Sequence, residues 1–148
     1  MKNYVICTNV DPETTSSLVK VSKEISLQDV RVHFVKIIEI QIFSAENTSS
    51  LYPREEEYPE IENYNTKKMK HLAQQMGLDE KNCFFKCFFE LKREEKILIY
   101  LKEVNADLVV TSTRGKHGVE GFFTSSFTDF LCKFSPCDVL VTRERKHS

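Results

Sequence analysis

"DLVVTSTRGKHGVEGFFTSSFTDF", residues 107–130, runs from an apolar, β-branched stretch through a loop into a segment with helical spacing, and it holds three of the chain's four glycines. Gly115, Gly118 and Gly121 fall within seven residues, while Gly77 stands alone. Glycine permits φ > 0 and close backbone approach, at an entropic cost inside regular structure. A strand, a glycine loop and a helix in this order form the βα unit of a parallel sheet, with the loop beyond the strand's carboxyl end. Phe127, Phe130, Leu131 and Phe134 mark the helix. Ser126, three residues before Asp129, reads as its capping-box-like start, and Pro136 ends it ahead of the strand "DVLVT" (138–142).

The same alternation extends to the N-terminus. "YVICTNV" (4–10) is a short apolar strand closed by Asp11-Pro12, and the helix after it carries Leu18, Val21 and Ile25 on one stripe. "VRVHFVKII" (30–38) is a second strand. Residues 39–60 lose periodicity and gain Ser, Pro and Glu, which is the composition of a flexible loop insertion. A helix follows, with Ile61, Tyr64, Met69, Leu72, Ala73 and Met76 assigned to one face and Gly77 as its stop. "CFFKCFFEL" (83–91) is a strand continuous enough to be buried on both faces. "REEKILIYLKEVNA" then places Ile97, Tyr100, Leu101 and Val104 at helical spacing. Five strands alternating with helices predict a single α/β domain over 1–148, doubly wound around a parallel sheet with helices on both faces.

Composition narrows the function classes. The 148 residues carry a net charge of −1, so no basic face is on offer to nucleic acid or to a membrane surface. No apolar run approaches the ~20 residues of a membrane span. The N-terminus lacks a long apolar region and a cleavage site, so the expected address is cytoplasmic. The five cysteines form no CxxC pair: Cys83 and Cys87 are three residues apart and Cys132 and Cys137 four. They read as reduced thiols, with no metal site.

The glycine loop is spaced GxxGxxG, which is neither a Walker A motif nor GxGxxG. Its position is more telling than its spacing. In a doubly wound sheet a ligand sits beyond the carboxyl ends of the strands, at the switch point of strand order. The first strand brings Asp11 to that end and the fourth brings Ser112 through Ser126. A helix N-terminus dressed with Thr124, Ser125 and Ser126 suits a phosphate, and a turn-rich loop with a serine cap is the plainer alternative. Arg114 and Lys116 are candidates to neutralise phosphate. His117 reads as a solvent-facing loop residue and His33 as a half-buried strand residue. Ser125 or Ser126 as a hydrolytic nucleophile lacks a base at defined spacing, so catalysis beyond weak nucleotide hydrolysis is not expected.

These residues carry a resemblance. "ADLVVTSTRGKHGVEGFFTSSFTDFLCKFSPCDVLVTR" (106–143) resembles the C-terminal signature of the universal stress protein family, and "YVICTNVDPETTSSL" is similar to that family's opening strand and helix. The resemblance implies a Rossmann-like, adenine-nucleotide alpha-hydrolase-like sheet with strand order 3-2-1-4-5. It implies a stress-response module acting as a homodimer paired through its last strands. It also implies ATP or AMP, with Mg²⁺ accompanying the nucleotide, held by Gly-x2-Gly-x9-Gly-Ser/Thr. Carried over, that motif falls on Ser112, Gly115, Ser125 and Ser126, with Thr113 beside it. The acid on the ribose side becomes Asp11, and a backbone contact from the second strand falls near Val35.

Two of the motif's glycines are serine here, Ser112 and Ser125, while Gly115 keeps its nine-residue spacing to Ser125. Two readings stay open: a dimeric regulator that binds adenine nucleotide, and a dimeric interaction protein of the same fold that has lost the ligand.

Overall fold

The computed structural model describes residues 1–113 and 119–143, apart from the side chains of residue 13, residue 113 and residues 119–125. Five parallel strands, β1 (Lys2–Cys7), β2 (Val30–Glu39), β5 (Cys83–Glu90), β6 (Leu108–Thr113) and β7 (Asp138–Arg143), form one sheet in the order β5-β2-β1-β6-β7. This is the expected 3-2-1-4-5 order once the five sheet strands are counted alone. Helices α1 (Pro12–Ser22), α2 (Tyr58–Gln75), α3 (Arg93–Glu103) and α4 (Val119–Phe134) connect them.

Alternation along the strands builds a core on each face. Ile6, Val32, Phe34 and Val110 pack with Leu18 of α1 and Met69, Leu72 and Ala73 of α2. Val5, Val35 and Val109 point the other way, to Ile97, Tyr100 and Leu101 of α3 and Leu131 of α4. Each fully buried Val or Leu contributes about 1.5–3 kcal/mol, so these two layers supply the main drive to fold.

Two helix ends aim the next strands by the same device. Gly77 (φ 73°) follows α2, with its N–H donating to Gln74 O at 3.0 Å and Leu78 N–H to Ala73 O at 3.0 Å. Asn105 (φ 51°) follows α3, with Ala106 N–H donating to Leu101 O at 3.0 Å. A left-handed residue just past the helix lets the following N–H groups satisfy the last carbonyls.

Four sequence expectations are corrected. The stretch 39–60 is not a featureless loop: β3 (Gln41–Ala45) and β4 (Thr48–Tyr52) pair as an antiparallel hairpin, followed by a 3₁₀ turn at Glu55–Glu57. Strand β5 has no fully buried residue, with Phe84 and Lys86 exposed and the rest partly buried, because it is an edge strand: among the described residues only β2 pairs with it. Tyr64 lies outside the α2 core stripe at 59% exposure, since that stripe runs through Asn65, Met69, Leu72 and Ala73. Helix α4 begins at Val119, so Ser126 is an interior residue rather than its cap.

Candidate functional site

The register brings Cys7 of β1 beside Thr111 of β6 and Val35 of β2, so the carboxyl ends of three adjacent strands open together. A narrow crevice lies there, with a cavity volume of about 40 Å³. Cys7, Val35, Ile37 and the Phe127 ring give it an apolar side; Thr8, Asn9, Thr14 and Ser112 give it a polar one. Arg93, the first residue of α3, completes the wall with its guanidinium 5.0 Å from the centre of the Phe127 ring. The same guanidinium lies 3.8 Å from Glu39 Oε1 and 3.6 Å from Glu94 Oε1.

The chain leaves β1 through a constrained turn. Thr8 N–H donates to Val35 O at 3.1 Å, and Val10 N–H to Thr8 Oγ1 at 3.0 Å. Val10 sits at φ 54°, where a β-branched side chain is disfavoured. Such strain costs on the order of 1–3 kcal/mol and gathers at ligand sites. Asp11 follows as the N-cap of α1, its Oδ1 accepting from Thr14 N–H at 2.9 Å, with Pro12 in the first turn. Lys36 Nζ donates to Asn9 Oδ1 at 3.0 Å and ties β2 to the turn after β1.

Under β6 the serine at the first motif position is engaged. Ser112 Oγ lies 2.6 Å from Thr142 Oγ1 of β7 and 3.2 Å from Ser17 Oγ of α1, and Ser17 Oγ lies 3.0 Å from Thr142 Oγ1. Ser17 also reaches Thr14 O at 3.0 Å. One set of proton positions satisfies all three buried hydroxyls: Ser112 donates to Thr142, Thr142 to Ser17, and Ser17 to the Thr14 carbonyl. On the other face Thr111 Oγ1 is 3.4 Å from Thr128 Oγ1 and ties β6 to α4.

Of the expected site residues, Val35 and Ser112 line the crevice, while Asp11 caps the helix beside it. Val35's carbonyl is already used by Thr8, which restricts the backbone contact expected there. Gly115 lies outside the described residues, as do Arg114, Lys116 and His117. Thr113 ends β6, and Ser125 and Ser126 are inside α4, where backbone N–H groups bond to carbonyls four residues earlier. Ser126 is exposed.

Sequence reasoning missed Arg93 and Phe127. Both were visible as residue types, yet they converge only when α3 and α4 pack on the same sheet face. Thr8, Asn9 and Thr14 carried a signal: they flank Asp11 at the end of the first strand.

Nucleophilic chemistry is disfavoured at Cys7, whose thiol is pushed up to about 12 by burial, with Cys137 adding a smaller effect in the same direction. His33 belongs to the core. Its Nδ1 lies 3.0 Å from Tyr100 Oη, its Nε2 lies 3.1 Å from Asn3 Oδ1, and its ring stacks on Phe84. Burial first, then the charges of Arg31 and Lys86, holds it below the usual histidine range. Among the described residues no group of three or more His, Cys, Asp or Glu side chains is placed to hold a metal ion. Among them, too, no helix is long and apolar enough to cross a membrane.

Comparison with known proteins places this architecture. Residues 1–143 match the model of the universal stress protein family. Relatives from Staphylococcus aureus, strains USA300 and NCTC 8325 among them, carry the universal stress protein name and are 44% identical over 41 residues. That match spans 28% of this chain and only 25% of each relative's length. Two solved structures share the fold at low identity. A universal stress protein in complex with cAMP aligns over 97% of this chain and 98% of its own (TM-score 0.66, 13% identity). The Archaeoglobus fulgidus universal stress protein in complex with dAMP aligns over 96% and 98% (TM-score 0.64, 12% identity).

Proposed function

This chain belongs to the universal stress protein family, and we propose that it binds ATP or AMP in the crevice at the carboxyl ends of β1 and β6 and acts as a dimeric regulator. The observation that carries the reading is the crevice itself. An apolar side with an aromatic ring and a guanidinium suits a purine base, and the hydroxyl-lined side suits ribose and phosphate. Asp11 is the acid on the ribose side. Thr113, Gly115, the backbone at Ser112 and the hydroxyls of Ser125 and Ser126 form the phosphate end, and Mg²⁺ is held through the nucleotide's own phosphates.

The dimer forms through β7. Among the described residues it pairs only with β6 in the sheet, and Val141 is 41% exposed on it. Pairing two such edges about a two-fold axis removes the hazard of an open strand.

A second reading is favoured by one observation. Helix α4 starts seven residues before Ser126, so the N–H groups of Ser125 and Ser126 are committed within the helix. An interaction protein that has lost its nucleotide has the same fold and dimer. Native mass spectrometry of the full chain with and without ATP and AMP separates the two: binding gives a nucleotide-sized increment per chain, and the ligand-free reading gives none.

A further inference from the structure

The crevice at the carboxyl ends of β1 and β6 is nearly filled by the protein itself. Its volume of about 40 Å³ holds a few waters at ~10–15 Å³ each, whereas pockets that take a small molecule measure roughly 300–1,000 Å³. Arg93 and Phe127 close it. The Arg93 guanidinium lies over the Phe127 ring, 5.0 Å from its centre and within the ~6 Å reach of a cation–π contact. A guanidinium is planar and stacks on aromatic faces. Arg93 thus takes the ring face that a flat ligand needs.

Arg93 is braced from two sides. Glu39, the last residue of β2, places Oε1 3.8 Å from Arg93 Nε, and its Oε2 accepts the Arg93 backbone N–H at 3.5 Å. Glu94 Oε1 lies 3.6 Å from the same Nε. The backbone under this contact is fixed: Glu39 pairs with Glu90 of β5, and Ile40 N–H donates to Glu90 O at 2.8 Å. Opening therefore needs a change of the Arg93 side chain, which is 23% exposed, and leaves the sheet as it is. The braces also select what can replace Arg93. Two carboxylates and one guanidinium sum to −1, which disfavours a phosphate at this end and leaves it to an uncharged ring.

We propose that Arg93, held by Glu39 and Glu94, is a latch that closes the crevice by occupying the face of Phe127, and that an uncharged purine ring displaces it. The displacement rests on the reading that a nucleotide enters the crevice; the latch itself is a property of the free chain. Cys7 reports on it without any ligand, because its buried thiol lines the same crevice and is alkylated only when the crevice opens.

Iodoacetamide labelling of the full chain, read by peptide mass spectrometry, compares wild type with Arg93→Ala and Glu39→Gln. Both variants are expected to label Cys7 about fivefold faster or more, with Cys83 and Cys87 unchanged, as local opening becomes easier while the fold is kept. Adenosine and AMP, but not inorganic phosphate, should slow Cys7 labelling in Arg93→Ala. Calorimetry should show AMP binding about fivefold tighter to Arg93→Ala than to wild type, since the closed form no longer competes. Cys7 labelled at the wild-type rate in both variants would overturn the latch, as would Cys83 and Cys87 accelerating in step with it. Weaker AMP binding by Arg93→Ala would also overturn it and make the guanidinium a ligand contact. Faster Cys7 labelling that neither adenosine nor AMP slows supports the latch and overturns the nucleotide reading alone.

Discussion

Ser112 Oγ and Thr142 Oγ1 lie 2.6 Å apart, buried between β6, β7 and α1, with Ser17 Oγ within 3.2 Å of both. Ser112, where the family resemblance implies glycine, is thus tied into neighbours that can hydrogen-bond to it. The substitution arrives with partners, and its hydroxyl is engaged beneath the strand end.

Thr142→Val keeps the side-chain volume and removes the hydroxyl. It removes one hydroxyl partner from Ser112 and from Ser17, which keep each other at 3.2 Å, and should cost about 1 kcal/mol. Urea denaturation should show a lower midpoint with an unchanged slope. Ser112→Ala should cost a similar amount and leave nucleotide affinity within about twofold, a difference of ~0.4 kcal/mol.

The sheet was legible because its strands alternate or run apolar between clear turn residues, and because the glycine loop follows its fourth strand. All five sheet strands fall within a few residues of their expected ends. The hairpin was not legible: Ser44, Ser49, Ser50 and Pro53 look like loop chemistry, and pairing between Ile42 and Leu51 is not a periodicity that a single strand displays. The start of α4 was misplaced because Ser126 and Asp129 imitate a cap inside a helix whose true first turn follows glycine. Half of the crevice wall, Arg93 and Phe127, depends on tertiary packing alone.

His33 makes stability pH-dependent. Its pKa is depressed in the folded chain by burial, then by Arg31 and Lys86, so the unfolded chain binds the proton more readily. The contribution is fully present above the unfolded value of about 6.5 and is lost as pH falls through the lower folded value. Chemical denaturation from pH 8 to pH 5 should show stability falling below about pH 6.5, and His33→Phe should flatten that part of the profile.

Thiol reactivity should follow burial. Cys132 is exposed, whereas the Cys7 thiol is held at about 12 and those of Cys83 and Cys87 at about 11. The thiolate is the reactive form. Alkylation with iodoacetamide at neutral pH, read by peptide mass spectrometry, should modify Cys132 first and Cys7 last.

Occupancy of the crevice is the central claim, and nitrogen-15 chemical shifts during titration with ATP and Mg²⁺ test it residue by residue. Shifts are expected at Thr8, Asn9, Thr14, Val35 and Ser112 and at the Phe127 amide, and Gly115→Val should abolish them without loss of the folded spectrum. A titration that leaves these amides unmoved, or that moves only the opposite end of the sheet around Asp29 and Asp107, would contradict the account.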